Sequence, residues 1–147
     1  MKVLAIASGG GHWVQLLRLL PCFDDTDVSF MSTRPNFADN VSGKKFFLVP
    51  DASRWNKLRL IKLAINVGKI ILAERPDVIV TTGASPGLMG IIAGRVIGSK
   101  TIWIDSMANI EKISLSGKIA VFFADKVFTQ WPHLSTPKIN YCGNVLE

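Results

Sequence analysis

Short apolar runs rich in β-branched residues alternate along the chain with longer segments of helical period. This alternation is typical of βαβ units, in which parallel strands form a buried sheet covered by helices. The sequence predicts strands near residues 2–7, 28–32, 45–49, 77–81, 101–104 and 126–129, with a seventh at 139–142. It predicts helices near 13–20, 54–74, 86–97 and 110–123. We therefore expect an α/β fold: a Rossmann-like domain with a parallel sheet flanked by helices.

Length and composition narrow the class of protein. A chain of 147 residues, 48% hydrophobic, fits one folded domain spanning residues 1–147. Its most apolar late stretch, 88–98, contains Arg95 and is shorter than the roughly 18 residues that span a bilayer. Cys22 and Cys142 lie far apart without metal-ligand spacing, which predicts no metal site and a reducing, cytoplasmic location. The net charge of +6 favours an anionic partner.

The first loop with unusual chemistry joins the first strand to the first helix. It contains Ser8, Gly9, Gly10, Gly11 and His12. Three glycines allow close backbone approach, and a helix N-terminus offers N–H groups to an anion, so the loop is a candidate phosphate site. It is not the dinucleotide fingerprint, because Val14 stands where the third glycine belongs. His12 is a candidate general base. The structural alternatives are a tight turn without a ligand for the loop, and a histidine that faces solvent for His12.

The second loop, residues 82–87, follows a buried strand and opens a helix with a proline in its first turn. It is either a plain βα turn or a second anion contact. We name four candidate contacts in it: Gly83, Ala84, Ser85 and Gly87.

The third loop begins at Asp105 and Ser106 and continues to Asn109, directly after an apolar strand. A carboxylate beside a phosphate would repel it, so Asp105 is expected to face a sugar hydroxyl and is a reserve candidate for the catalytic base. Ser106 and Asn109 are candidate contacts for the acceptor. Capping of the following helix by Asp105 or Ser106 is the structural alternative.

The predicted helix 54–74 carries apolar residues at helical spacing and a basic face. The apolar set is Trp55, Leu58, Ile61, Ile65 and Leu72; the other face has Arg59, Lys62, Asn66 and Lys69. Such a helix can lie on an anionic membrane surface, or it can cover the sheet with its basic face solvated.

These motifs together resemble a known family. The SGGGH loop at 8–12, TTGASPG at 81–87, Asp105-Ser106, SLSGK at 114–118, Asp125 and QWP at 130–132 occur in the order found in the acceptor-binding subunit of split N-acetylglucosamine-type transferases. The chain resembles the asparagine-linked-glycosylation-fourteen family and its bacterial exopolysaccharide and capsule counterparts. It is more distantly similar to the N-terminal half of MurG, a transferase of the GT-B fold. Asp105 stands where a glutamate is usual, and Asn109 where an arginine is common.

The resemblance implies a glycosyltransferase subunit that is active only with a donor-binding partner. That partner would bind the UDP-sugar, while this chain would bind a lipid-diphosphate-linked saccharide at the two glycine loops, without cofactor, metal or nucleic acid. It would act on the cytoplasmic face of the membrane, as a peripheral protein. The partner interface is expected at the C-terminal tail, through Tyr141, Val145 and Leu146.

Two other functions stay open on the residues alone. Arg34 follows the second strand and could meet a ribose phosphate, which would make the chain an NADP-type nucleotide-binding module. The chain could also be a non-catalytic scaffold of a transferase.

Overall fold

Seven parallel strands form one sheet in the order β3-β2-β1-β4-β5-β6-β7. The computed structural model describes residues 1–146; Glu147, the last residue of the predicted domain, lies outside them. The strands are β1 (Lys2–Ile6), β2 (Asp27–Ser32), β3 (Lys45–Leu48), β4 (Val78–Thr81), β5 (Lys100–Ile104), β6 (Lys126–Thr129) and β7 (Asn140–Tyr141). The helices are α1 (Gly11–Arg18), α2 (Lys57–Glu74), α3 (Ala84–Ile97) and α4 (Leu115–Ala120).

The strand order places the carboxyl ends of β1 and β4 at a point where the topology changes direction. β1 pairs with β2 on one side and with β4 on the other, and the sequence crosses over β1 to reach β4. In open parallel sheets, ligands bind beyond the carboxyl ends of the strands at such a point. The glycine loop after β1 and the loop after β4 therefore meet there.

The core lies on both faces of the sheet. On one face, Trp13 and Leu16 of α1 pack with Phe30 and other apolar residues of β1 and β2. On the other, Leu63 and Val67 of α2 pack against strand residues such as Leu4, Ile6 and Ile79. Burial of the sheet on both sides is what the near-continuous apolar strands require.

Helix α3 approaches the sheet closely because two of its inward-facing positions are glycine. A Cβ atom at Gly90 would lie 2.3 Å from Cδ1 of Ile6, and one at Gly94 would lie 2.4 Å from Cδ1 of Ile79. A side chain at either position would have to displace the end of that isoleucine or move the helix. The glycines thus allow α3 to pack closely on the strands that lead into the site.

The sequence-based α/β fold is confirmed, and each predicted strand agrees with the structure within a residue or two. The helix predicted for 54–74 begins at Lys57, because Asn56 caps it by accepting a hydrogen bond from the amide of Arg59 at 3.1 Å. The helix predicted for 110–123 is shorter, since Ser114 caps α4 through the amide of Gly117 at 2.9 Å. Among the described residues, no helix combines the length and apolar character that crossing a membrane requires.

Candidate active site

A cleft of about 500 Å³ lies beyond the carboxyl ends of β1, β4 and β5. Four predicted polar residues line it, namely His12, Ser85, Ser106 and Asn109. Its walls also include apolar side chains from three helices: Leu60 of α2, Leu88 and Met89 of α3, and Leu115 and Ile119 of α4. The cleft therefore joins a polar floor to apolar walls, a combination that suits a ligand with both kinds of surface.

The orientation of His12 is fixed by the loop after β4. Its Nδ1 lies 2.8 Å from the carbonyl oxygen of Thr82, and the Thr82 hydroxyl donates to the carbonyl of His12 at 2.6 Å. A carbonyl oxygen can only accept, so Nδ1 of His12 carries the hydrogen. In the neutral ring this leaves Nε2 with a lone pair, which is the form that accepts a proton from a hydroxyl.

The glycine loop leads into α1 with a backbone that needs glycine. Gly10 has φ of 69° and ψ of −138°, whereas Gly11 begins the helix and a Cβ atom there would meet no atom within 4 Å. No side chain of residues 1–146 caps the start of α1, so its N-terminus can receive an anion. Ser8 and Gly9 are half-buried at the end of β1. Phosphate binding at this loop stays a prediction.

The second loop holds the ring of His12 in place, and its predicted role as a second anion contact stays a prediction. Gly83 has φ of 128°, and a Cβ atom there would lie 2.9 Å from Nδ1 and Cε1 of His12. Ala84, which lines the cleft, also has a positive φ of 65°. Gly87 is turned toward the sheet, where a Cβ atom would lie 2.0 Å from Oγ1 of Thr81. Gly87 thus serves helix packing, and its predicted contact with the acceptor lacks geometric support.

Asp105 is buried and fully occupied by neighbouring groups. Oδ1 accepts hydrogen bonds from Nε1 of Trp103 at 3.0 Å and from Oγ of Ser114 at 2.5 Å. Oδ2 accepts from the amide of Ser114 and from Nδ2 of Asn109, both at 3.0 Å. Asp105 is 2% exposed and does not line the cleft. The structure therefore does not support the prediction that this carboxylate faces a sugar hydroxyl, because each oxygen already accepts two hydrogen bonds and the side chain is buried away from the cleft.

Asn109 and Ser106 remain at the cleft. The Asn109 amide is held by Asp105, and the Ser106 hydroxyl accepts from the amide of Ala108 at 3.2 Å. Both residues line the cleft, as predicted for acceptor contacts. The alternative in which Asp105 or Ser106 caps the next helix is not observed, since the cap of α4 is Ser114.

Two arginines at the site were missed as acceptor contacts by the sequence analysis. A Cβ atom on Gly9 would lie 2.7 Å from Nε of Arg34, so this guanidinium lies directly against the glycine loop. Arg54 lines the cleft, with its guanidinium 4.7 Å from the ring centroid of Trp55. The signal for Arg34 was its position two residues after the end of β2, next to the loop after β1. No such signal marks Arg54.

The C-terminal tail is tied to the domain by backbone contacts. Tyr141 lies in β7 and pairs with β6. The amide of Val145 donates to Oε1 of Gln130 at 3.0 Å, and its carbonyl accepts from Arg18 at 3.1 Å. The side chain of Leu146 is 57% exposed, while Tyr141 and Val145 are half-buried. Their predicted role in a partner interface stays a prediction.

Comparison with known proteins decides the family. A sequence model of the family described as "Oligosaccharide biosynthesis protein Alg14 like" matches residues 52–145. The chain belongs to the Alg14 family. It is 29% identical to the UDP-N-acetylglucosamine transferase subunit alg14 of Schizosaccharomyces pombe, over 97% of this chain and 82% of that protein. It is 24% identical to the Homo sapiens subunit ALG14, over 99% of this chain and 83% of that protein. The predicted resemblance to a glycosyltransferase subunit is confirmed.

Solved structures confirm the fold of this Alg14-family chain. MurG of Acinetobacter baumannii superposes with a TM-score of 0.78 and 14% identity, over 97% of this chain and 46% of MurG. UDP-GlcNAc 2-epimerase of Methanocaldococcus jannaschii gives 0.72 and 16%, over 98% of this chain and 46% of the epimerase. The chain spans about half the length of these proteins, in agreement with the predicted likeness to half of a GT-B enzyme.

Proposed function

We propose that this chain is the acceptor-binding subunit of a two-subunit glycosyltransferase. A donor-binding partner holds a UDP-sugar, and this chain holds a lipid-diphosphate-linked saccharide. The observation that carries the proposal is the cleft in which His12, oriented by Thr82, faces apolar walls beside the glycine loop. Membership of the Alg14 family supports it, because relatives are named as subunits of a UDP-N-acetylglucosamine transferase.

In the proposed reaction His12 is the general base. Nε2 removes the proton from the acceptor hydroxyl as its oxygen bonds to the anomeric carbon of the donor sugar. The bond from that carbon to the diphosphate oxygen breaks, and UDP leaves with the electron pair. Thr82 keeps the hydrogen on Nδ1 of His12, so the lone pair stays on the nitrogen available to the acceptor.

Cationic groups at the glycine loop support an acceptor that carries a diphosphate. The N-terminus of α1 contributes the positive end of the helix dipole. Arg34 lies against Gly9, and Arg54 lines the cleft. Neither arginine forms a salt bridge within residues 1–146, so both can bind phosphate oxygens.

The apolar surface around the cleft supports the proposal that the chain binds a membrane peripherally. On α2, four apolar side chains are more than half exposed, on the side opposite the core residues Leu63 and Val67: Leu58, Ile61, Ile65 and Leu72. Helix α2 therefore covers the sheet with one stripe and leaves a second apolar stripe in solvent, next to Lys62 and Lys69. On α4, Leu115 is 56% exposed beside the cleft. These surfaces would meet the lipid of the acceptor.

The test of the reaction is a transfer assay with the chain and its donor-binding subunit copurified. His12→Asn keeps a side-chain N–H donor for the carbonyl of Thr82 but removes the basic nitrogen. We expect kcat to fall by roughly 10²- to 10⁴-fold with little change in KM. His133→Asn is the matched control, because His133 is the second of two histidines and is exposed.

Three outcomes would contradict the proposal. Full activity of His12→Asn in the complex would favour the scaffold. Transfer by this chain alone would exclude the two-subunit arrangement. Tight binding of NADP by the chain, with no transfer by the complex, would favour the nucleotide-binding module, in which Arg34 meets a ribose phosphate.

The test of membrane binding is flotation of the chain with anionic vesicles. Each basic residue near an anionic surface contributes about 1 kcal/mol, so reversing Arg59, Lys62 and Lys69 to glutamate should release the chain at low salt. Reversal of three exposed lysines elsewhere, Lys44, Lys112 and Lys138, gives the same change in net charge. If both triple variants bind equally, α2 is not the membrane surface.

A further inference from the structure

Two buried glutamines connect α1 to the end of β6 behind the cleft. Nε2 of Gln130 donates to Oε1 of Gln15 at 2.7 Å and to the carbonyl of Asp105 at 2.9 Å. Gln15 is 4% exposed and Gln130 is 3% exposed. Buried amides of this kind are retained only where their donors and acceptors are paired. Neither residue lines the cleft, and the proposed reaction gives neither of them a role.

The surrounding groups fix which way each amide points. Oε1 of Gln130 accepts from the amide of Val145 at 3.0 Å, while its Nε2 faces two acceptors. Oε1 of Gln15 accepts from Nε2 of Gln130 and from the amide of Met107 at 3.2 Å. Rotating either amide by 180° would place an NH₂ group against an N–H donor. Nε2 of Gln15 must therefore face Ser106, to which it donates at 3.0 Å.

This orientation determines what the Ser106 hydroxyl can do. A serine hydroxyl has two lone pairs and one hydrogen. The oxygen of Ser106 accepts from Nε2 of Gln15 and from the amide of Ala108 at 3.2 Å, which uses both lone pairs. Its hydrogen is given to no acceptor within residues 1–146, and Ser106 lines the cleft. The serine can therefore only donate to a ligand.

We propose that Ser106 is an obligate hydrogen-bond donor to a phosphate oxygen of the acceptor, and that Gln15 and Gln130 are the positioning residues that enforce this direction. The inference rests on the proposed function, since it assumes that the cleft binds a diphosphate-linked saccharide. A one-way donor selects oxygens that accept, which is the chemistry of a phosphate. Gln15 follows His12 by three residues, about one turn of α1, so the helix that carries His12 also holds Ser106.

The decisive variant is Gln15→Glu. Burial favours the protonated form of a carboxyl group, so the assay is run at a pH high enough to ionise the new side chain. The carboxylate then still accepts from Gln130 and Met107, but it has no hydrogen for Ser106. Ser106 would then donate its own hydrogen to the carboxylate, and the ligand would lose it. In the copurified complex, with farnesyl-diphosphate-linked N-acetylglucosamine as acceptor, we expect KM to rise about 10- to 100-fold for both Gln15→Glu and Ser106→Ala. The double variant should be no worse than either single one, and kcat at saturating acceptor should change little.

Ser99→Ala is the matched control, because Ser99 is a buried serine whose hydroxyl donates to the carbonyl of Pro76 at 2.6 Å, away from the cleft. It should lower the melting temperature without raising the acceptor KM. An unchanged KM for Ser106→Ala would overturn the proposal, as would effects of Gln15→Glu and Ser106→Ala that add in the double variant. Should Gln15→Glu fail to fold, Ser106→Ala, which removes one oxygen atom, decides alone.

Failure of this inference differs from failure of the proposed function. If the function is wrong, the wild-type complex transfers no sugar, or His12→Asn transfers as well as wild type. If only the inference is wrong, transfer depends on His12 while Ser106→Ala and Gln15→Glu keep the acceptor KM of the wild type.

Discussion

Replacing Asp105 with asparagine separates a structural carboxylate from a catalytic one. The carboxylate accepts four hydrogen bonds, two at each oxygen. Asparagine keeps one oxygen and puts an NH₂ group in the place of the other. Whichever way the new amide turns, two donors lose their acceptor. The buried Nε1 of Trp103 has no route to water, so the amide oxygen is expected to stay with Trp103 and Ser114 Oγ.

The expected loss of unfolding free energy follows from the two hydrogen bonds lost at Oδ2, which come from the amide of Ser114 and from Nδ2 of Asn109. A hydrogen bond to a charged group contributes about 1.5–3 kcal/mol. Asn109 is half-buried and can turn toward water, which recovers part of its share. We therefore expect Asp105→Asn to lower the free energy of unfolding by roughly 2–4 kcal/mol. Against a total of about 5–15 kcal/mol for a domain, the variant should still fold.

Urea denaturation measures the loss, and transfer activity of the folded complex measures the chemistry. With an m-value of about 1–3 kcal/mol/M, the midpoint should fall by roughly 0.7–4 M while kcat per folded complex stays within a few-fold of wild type. Asp77→Asn is the control, since Asp77 is exposed and accepts from the amide of Lys2 at 2.7 Å. The reasoning is refuted if Asp105→Asn is as stable as wild type but inactive, because that result would make Asp105 the base.

The remaining predictions concern the packing around the site and its pH dependence. The backbone amide of Thr101 is the main cause of the lowered pKa of Asp125, so this carboxylate stabilises the fold at neutral pH and loses its effect as the pH falls below about 4. Asp125→Asn should therefore unfold at lower temperature than wild type at pH 7, with the difference narrowing toward pH 3. Gly90→Ala should cost about 1–3 kcal/mol in urea melts through its contact with Ile6, and Ile6→Val should recover part of that cost in the double variant. Gly83→Ala should lower kcat in the transfer assay more than the acceptor KM changes, because its Cβ atom would displace the adjacent histidine ring.

The fold could be predicted from the sequence because it depends on the pattern of whole segments rather than on single contacts. Continuous apolar strands separated by helical segments identify a parallel sheet, and the structure has the predicted strands in that arrangement. The α2 helix shows the limit of the same argument. Its predicted apolar set, Leu58 to Leu72, is in solvent, while Leu63 and Val67 cover the sheet. A helix that is apolar on two sides gives no sequence signal for which side is buried.

The sequence predicted which loops form the candidate site, but not which side chains of those loops point into the cleft. The rule that polar residues in the loop after an apolar strand are site candidates selected Ser106 and Asn109, and both line the cleft. The same rule also selected Asp105, whose side chain turns inward to Trp103. The sequence around a polar residue at a strand end does not show where its side chain points, because the direction depends on partners that are distant in the sequence. Gln15 was missed for the same reason, since its partner Gln130 lies 115 residues later.

The two loops at the centre of the sheet depend on each other, and this dependence gives the strained backbone of the second loop a role. Gly83 and Ala84 both have positive φ, a conformation that costs an alanine roughly 1–3 kcal/mol. That backbone turns the carbonyl of Thr82 toward Nδ1 of His12 and leaves space for the ring above Gly83. The Thr82 hydroxyl in turn holds the carbonyl of His12 at the start of α1. A relaxed βα turn would release the histidine ring to rotate, and either nitrogen could then carry the hydrogen. The strain is thus located at the residues that select the tautomer that His12 needs in its proposed role as general base.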